Sequence, residues 1–179
     1  MTWGEFGPIL TVALVDSFRE NLSWSRWQKS NTGEEVAVFR YTIPRSSSHY
    51  LIDFCCYQRS KEDPEMLRFR DKPGYHGELY LNPTTGVVDR ITLEAELTEE
   101  DPVTASAISV EYGKAGIGGK SYVCPIYALA ISEFHNRDVE VIDGVGLEKH
   151  INETHFLEYH KFGSTARIVA ATPDDPDQQ

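Results

Sequence analysis

Residues 113–121 read GKAGIGGKS and end in a Gly-Lys-Ser triplet that could close a phosphate-binding loop. That loop has the form G-x-x-x-x-G-K-[ST] and opens a helix whose backbone N–H groups cradle phosphate. Five residues separate Gly113 from Gly119 where four are required, and the slot for the first glycine holds Lys114. The next ten residues, YVCPIYALAI, read as a strand. The segment is expected to be a turn between antiparallel strands, because glycine supplies the positive φ such turns need.

Six histidines raise the question of a metal. His150, His155 and His160 are five residues apart, a spacing that alternates faces on a strand and gives no shared ligand face on a helix. His49 and His76 become neighbours if their strands pair, with Glu78 one pleat along from His76. That would be a His-His-Glu centre; the plainer reading is two half-exposed histidines on a polar sheet face. Ser46, Ser47 and Ser48 adjoin His49, but adjacency is not triad geometry, and there is no G-x-S-x-G. Glu94 and Glu96 belong to the wet face of one strand, where basic side chains ordinarily meet them. Asn21-Leu22-Ser23 and Asn152-Glu153-Thr154 have the form of glycosylation sequons, a common triplet. No motif identifies an activity or calls for a cofactor, and none is expected.

The cysteines are Cys55, Cys56 and Cys124, with no C-x-x-C. Neighbours on a strand point to opposite faces, so at most one of Cys55 and Cys56 reaches Cys124 easily. Cys56 shares a face with Tyr50, Ile52 and Phe54, and Cys124 with Tyr122 and Ile126. If those faces form one interior, a Cys56–Cys124 disulfide closes a loop of about 70 residues and stabilises by about 2–4 kcal/mol. The alternative is three buried thiols acting as small apolar groups.

The elements that must position these residues are mostly strands. Phe6, Ile9, Leu10, Ala13, Leu14, Ser17 and Phe18 form one helical stripe, with Pro8 near its start and Asn21 at its end. Strand signals occur at 35–43, 48–57, 75–82, 87–97, 106–113 and 120–134, with a further strand expected in 155–170. NPTTG (82–86) reads as a turn, and 60–74 and 135–153 as charged connections. Ile91, Leu93, Ala95 and Leu97 alternate with Arg90, Thr92, Glu94 and Glu96, the pattern of a strand with one dry face. Residues 120–134 are apolar on both faces and should be central or covered by the helix. The expected fold is α+β, mainly β: a curved antiparallel sheet with one amphipathic N-terminal helix packed against it. One domain is expected over 1–170, with a frayed acidic tail after it, 171–179.

Among 179 residues, 40% are hydrophobic and 25% charged, as in a soluble globular domain. A net charge of −11 argues against nucleic acid and against an anionic membrane surface. No apolar run approaches the roughly 18 residues of a membrane helix. The N-terminus lacks a basic start and a small-residue cleavage site, so no signal peptide is expected in this chain. The aromatic LSWSRWQ (22–28) and the aromatic strands are mostly core material, yet they could also leave an apolar surface for a lipophilic ligand.

GEFGPIL (4–10), WSRW (24–27), AVFRY (37–41), SHY (48–50), YHGELYLNPTTG (75–86), RITLEAEL (90–97), VEYGKAGIGGKSYVCP (110–125) and YHKFGSTARI (159–168) extend over most of the chain. In these segments it resembles a family of uncharacterised bacterial cell-envelope proteins, itself distantly similar to the periplasmic lipoprotein carriers. The resemblance implies an unclosed half-barrel with a helix in or across its mouth, and a periplasmic or cell-envelope location. Members generally carry a leader and further sequence ahead of GEFGPIL. In the carriers the apolar concave face holds acyl chains, so lipid or lipoprotein is the implied partner. The resulting expectation is a non-catalytic domain binding a lipophilic or peptidic ligand in an apolar groove. Trp24, Trp27, Phe39, Tyr41, Tyr50, Phe54, Leu93 and Tyr122 are its candidate contacts. The rival expectations are a structural or interaction domain with a filled core, and a metal-dependent enzyme centred on His49, His76 and Glu78.

Overall fold

The computed structural model describes residues 6–19, 22–30, 33–60, 63–141 and 144–160; the tail at 171–179 and the end of the helix at Asn21 lie outside them. Helix α1 spans Phe6–Arg19. Ile9 and Ala13 are buried four residues apart, and Asp16 and Ser17 continue the same stripe.

Among the described residues nine strands come after it: β1 Ser23–Lys29, β2 Glu35–Ile43, β3 Ile52–Ser60, β4 Asp63–Asp71, β5 Tyr75–Leu81, β6 Val88–Ala95, β7 Val103–Ile117, β8 Lys120–Val141 and β9 Gly144–His155. Seven make one antiparallel sheet in the order β1-β2-β5-β6-β7-β8-β9, while β3 and β4 pair only with each other. The fold is mainly β with one helix, and the curved sheet does not close into a barrel.

Strand alternation gives the sheet two unlike faces. On one, Tyr41, Ile43, Tyr75, Leu79, Ile91, Leu93, Val110, Ala128 and Ala130 join Ile9 and Ala13 of α1 in a single buried cluster. Full burial of each large aliphatic side chain there contributes about 1.5–3 kcal/mol. The β3–β4 hairpin is joined to the sheet by a second cluster, in which Ile52 meets Ala95 and Val103, with Phe54 and Phe134 packed alongside. The opposite, helix-free face carries Arg40, Thr42, His76, Glu78, Thr92 and Glu94, the alternates of those core residues.

GKAGIGGKS is a hairpin turn. Ile117 pairs with Lys120, and Gly118 and Gly119 between them have φ of +57° and +78°, as a two-residue type I′ turn requires. NPTTG is also a turn: Asn82 Oδ1 accepts from the Thr84 and Thr85 N–H groups, and Gly86 has φ of +68°. β8 is an interior but not a central strand, paired with β7 on one side and with edge strand β9 on the other.

Several expectations fail at the margins of the sheet. The segments 60–74 and 135–153 are not simple connections, since β4 and most of β9 lie in them. The strand expected in 155–170 is absent from 156–160, and its remainder lies outside the described residues. LSWSRWQ holds edge strand β1. Edge strands need only one ladder and one partly dry face, so their apolar pattern is weak. Cys124 is free, and Cys55 and Cys56 are joined to each other, which replaces the Cys56–Cys124 bridge. β3 meets β8 where Phe54 packs on Phe134. Cys124 is ten residues back along β8, roughly 33 Å away at about 3.3 Å per residue.

Candidate functional site

The eight expected contact residues do not form one groove. Tyr41 and Leu93 are core residues beneath α1 and also border a cavity on the opposite face of the sheet. Tyr50 stacks edge-on against Tyr75 and shares a hydrogen bond with Ser106. Phe54 packs on Phe134 beneath the β3–β4 hairpin. Trp24 and Phe39 face each other across β1 and β2, and Trp24 and Trp27 are 57% and 55% exposed at that edge. Tyr122 lies far from these, on the β7–β8 hairpin. α1 and the β3–β4 hairpin occupy the face on which a carrier-like groove was expected.

The cavity is on the helix-free face. It has a volume of about 450 Å³ and runs over β2, β5, β6, β7 and β8. One end is polar, with Arg40, His76, Glu78 and Glu94; the other is apolar, with Ala107, Leu129 and Ile131. Ile151 of β9 stands opposite Ile131 and extends the apolar end to the edge of the sheet. This division arises because β8 is apolar on both faces: Ala128 and Ala130 turn to the core, leaving Leu129 and Ile131 on the other side.

Glu78 organises the polar end. Arg26 reaches from β1 across β2 and grips its carboxylate with both Nη atoms, at 2.5 and 2.9 Å. Tyr80 OH donates to the same group at 2.6 Å and Arg40 Nε at 3.2 Å. These donors, Arg26 foremost, hold the Glu78 pKa at about 2 and keep it ionised. The Arg90 guanidinium lies over the Tyr80 ring, 3.9 Å from its centroid. Beneath this layer Val36 and Val38 are buried, so the polar network covers an apolar floor. Arg40 is the exposed cation of the group, at the rim of the cavity.

The proposed His49–His76–Glu78 centre is not assembled. Tyr75 and His76 are consecutive on β5 and point to opposite faces. Tyr75 reaches Asp16 together with His49, whereas His76 lines the helix-free cavity near Glu94, at 3.7 Å. Among the described residues no group of three or more His, Cys, Asp or Glu side chains is placed to hold a metal.

His49 instead belongs to a buried network centred on Asp16. The Asp16 carboxylate is fully enclosed and accepts from Tyr75 OH at 2.7 Å and His49 N–H at 3.0 Å, with His49 Nδ1 at 2.6 Å. Burial raises its pKa, but these hydrogen bonds outweigh burial and leave it below the ordinary value. The pairing orients an exposed imidazole, the geometry of a base or a metal ligand. Sequence reading missed Asp16. The available signal was its position three residues after Ala13 and seven after Ile9, which places a carboxylate inside the apolar stripe.

No protein-family model, curated protein or solved structure matches the chain.

Proposed function

We propose that this chain is a non-catalytic cell-envelope domain that binds a lipophilic ligand in the cavity of the helix-free face. The observation that carries the reading is the cavity itself. Its volume of about 450 Å³ falls within the about 300–1,000 Å³ of small-molecule pockets. Leu129, Ile131 and Ala107 offer an apolar bed, and Arg40 and His76 a polar end that would fix orientation. The envelope location rests on the resemblance carried by segments such as VEYGKAGIGGKSYVCP. The groove differs in place from the carrier-like expectation because α1 fills the other face.

A structural or interaction domain without a ligand is the second reading. It is favoured by how completely α1 closes the helix-bearing face, where Tyr41 and Leu93 are 3% and 1% exposed. A native mass spectrum of gently purified protein, compared with its denatured mass, separates the two. The expected result is an adduct of lipid size that is lost on denaturation. A clean apo mass, unchanged after incubation with mixed lipids, would favour the second reading.

A further inference from the structure

The two longest strands outrun their neighbours. β6 pairs with β7 no further than Glu111, and β9 pairs with β8 no further than Tyr127. Beyond those points Tyr112–Ile126 form a two-stranded ribbon closed by Gly118 and Gly119. At its base the Phe156 N–H donates to the Ile126 carbonyl and Tyr159 OH to that of Pro125.

The composition of this ribbon is unlike the rest of the molecule. The chain has 28 Asp and Glu residues, yet none occurs between Glu111 and Glu133. The ribbon carries Lys114 and Lys120, and Tyr122, Val123 and Ile126 are 47%, 46% and 41% exposed. Val123 pairs with Lys114, Tyr122 with Ala115, and Ile117 with Lys120. Each face of the ribbon therefore combines one lysine with apolar side chains, and neither is a dry face suited to packing on its own sheet. Glycine turns explain the tip, but not the exposed apolar groups or the missing carboxylates.

We propose that residues 113–124 are a docking ribbon for an anionic lipid bilayer, entered tip first, so that Tyr122 and Val123 reach the interface from opposite faces of the ribbon and Lys114 and Lys120 extend to headgroups. The net charge of −11 opposes such a surface only for the part of the molecule that approaches it. Glu111 is six residues from Ile117, roughly 20 Å along a strand and about twice the Debye length of roughly 8–10 Å. Glu158 adjoins Tyr159, whose hydroxyl meets the Pro125 carbonyl at the base of the ribbon, away from the tip. Each lysine brought to an anionic surface is worth about fivefold in partitioning. Tyrosine suits the boundary between headgroups and acyl chains. This inference is independent of what the cavity binds.

The test is co-sedimentation of the full chain with phosphatidylglycerol-containing vesicles and with phosphatidylcholine vesicles, at low and high salt. Binding to the former alone, weakened by salt, is expected. The double variant Lys114→Glu/Lys120→Glu should weaken it by about 25-fold or more, and Tyr122→Ser/Val123→Ser should also weaken it. Lys29→Glu, on edge strand β1, should leave it unchanged. Amide hydrogen exchange on vesicles should show new protection within 113–124, with thermal unfolding of the free variants reporting that they fold. Three results would overturn the proposal: no binding at low salt, equal loss with Lys29→Glu, or protection confined elsewhere. Concentration-dependent self-association that needs the tip, without vesicle binding, would assign the ribbon to a second copy of the chain and likewise overturn it.

Discussion

Two carboxylates, Asp16 and Glu78, carry most of the specific polar chemistry on opposite faces of the sheet. Asp16 is enclosed and satisfied by Tyr75 and by the backbone and ring of His49, so it ties α1 to β5 and to the β2–β3 connection. Glu78 is more accessible and ties β1, β2 and β5 together through Arg26, Arg40 and Tyr80. Its pKa of about 2 lies below its ordinary 4.5, so its contribution is complete above about pH 4.5 and is lost as pH falls toward about 2. Solvent screening limits that contribution to about 1 kcal/mol. Urea unfolding should therefore find Glu78→Gln less stable than the native chain by about that amount near neutral pH. The gap should close on acidification to about pH 2. A gap independent of pH would mean that the Arg26–Glu78 pair contributes through shape rather than charge.

At the scale of elements, close approach of β5 and β6 depends on Gly77. A side chain there would strike the Thr92 carbonyl oxygen and come within 2.6 Å of the Tyr41 hydroxyl. The Tyr41 hydroxyl itself donates to that carbonyl, so the ring occupies the space the glycine leaves. Gly77→Ala should cost about 3 kcal/mol, and the Tyr41 hydroxyl should lose its partner. Gly116, in the ribbon, has no atom within 4 Å of where a methyl group would stand. Gly116→Ala should therefore change stability by less than about 0.5 kcal/mol. Thermal melts of the two variants test this directly, and equal losses would contradict the close approach of β5 to β6.

At the scale of the whole molecule, stability and recognition are divided between the two faces of one sheet. Leu93 belongs to the core cluster under α1 and borders the cavity from below, whereas Ile131 is outside that cluster and lines the cavity on the helix-free face. Leu93→Ala should destabilise by about 2–5 kcal/mol and leave the bound mass in a native spectrum unchanged at temperatures where the protein is folded. Ile131→Glu should abolish the adduct, because it places a charge on the apolar bed, at some cost in stability that a thermal melt reports. An adduct that survives Ile131→Glu would move the ligand away from the helix-free face. No helix among the described residues is long and apolar enough to cross a membrane.

Residue order alone specifies the local elements whose pattern is strong. The stripe through Ile9 and Ala13 specified α1, EVAVFRYTI specified β2, and the alternation from Arg90 to Ala95 specified β6 and its dry side. Gly118-Gly119 specified a turn and removed the nucleotide-binding reading, because φ is a local property. Edge strands β1 and β9 were illegible as strands, since one wet face and few apolar residues leave little period to detect. The site was the least legible part. Arg26 and Glu78 are 52 residues apart, and Asp16 and Tyr75 are 59 apart. No local spacing encodes which strand lies beside which, or which face the helix covers. Only the order β1-β2-β5-β6-β7-β8-β9 brings Arg26 over Glu78, separates His49 from His76 and places Cys124 far from Cys56. Local steric preference and hydrophobic period fixed the parts; long-range strand pairing decided which residues meet.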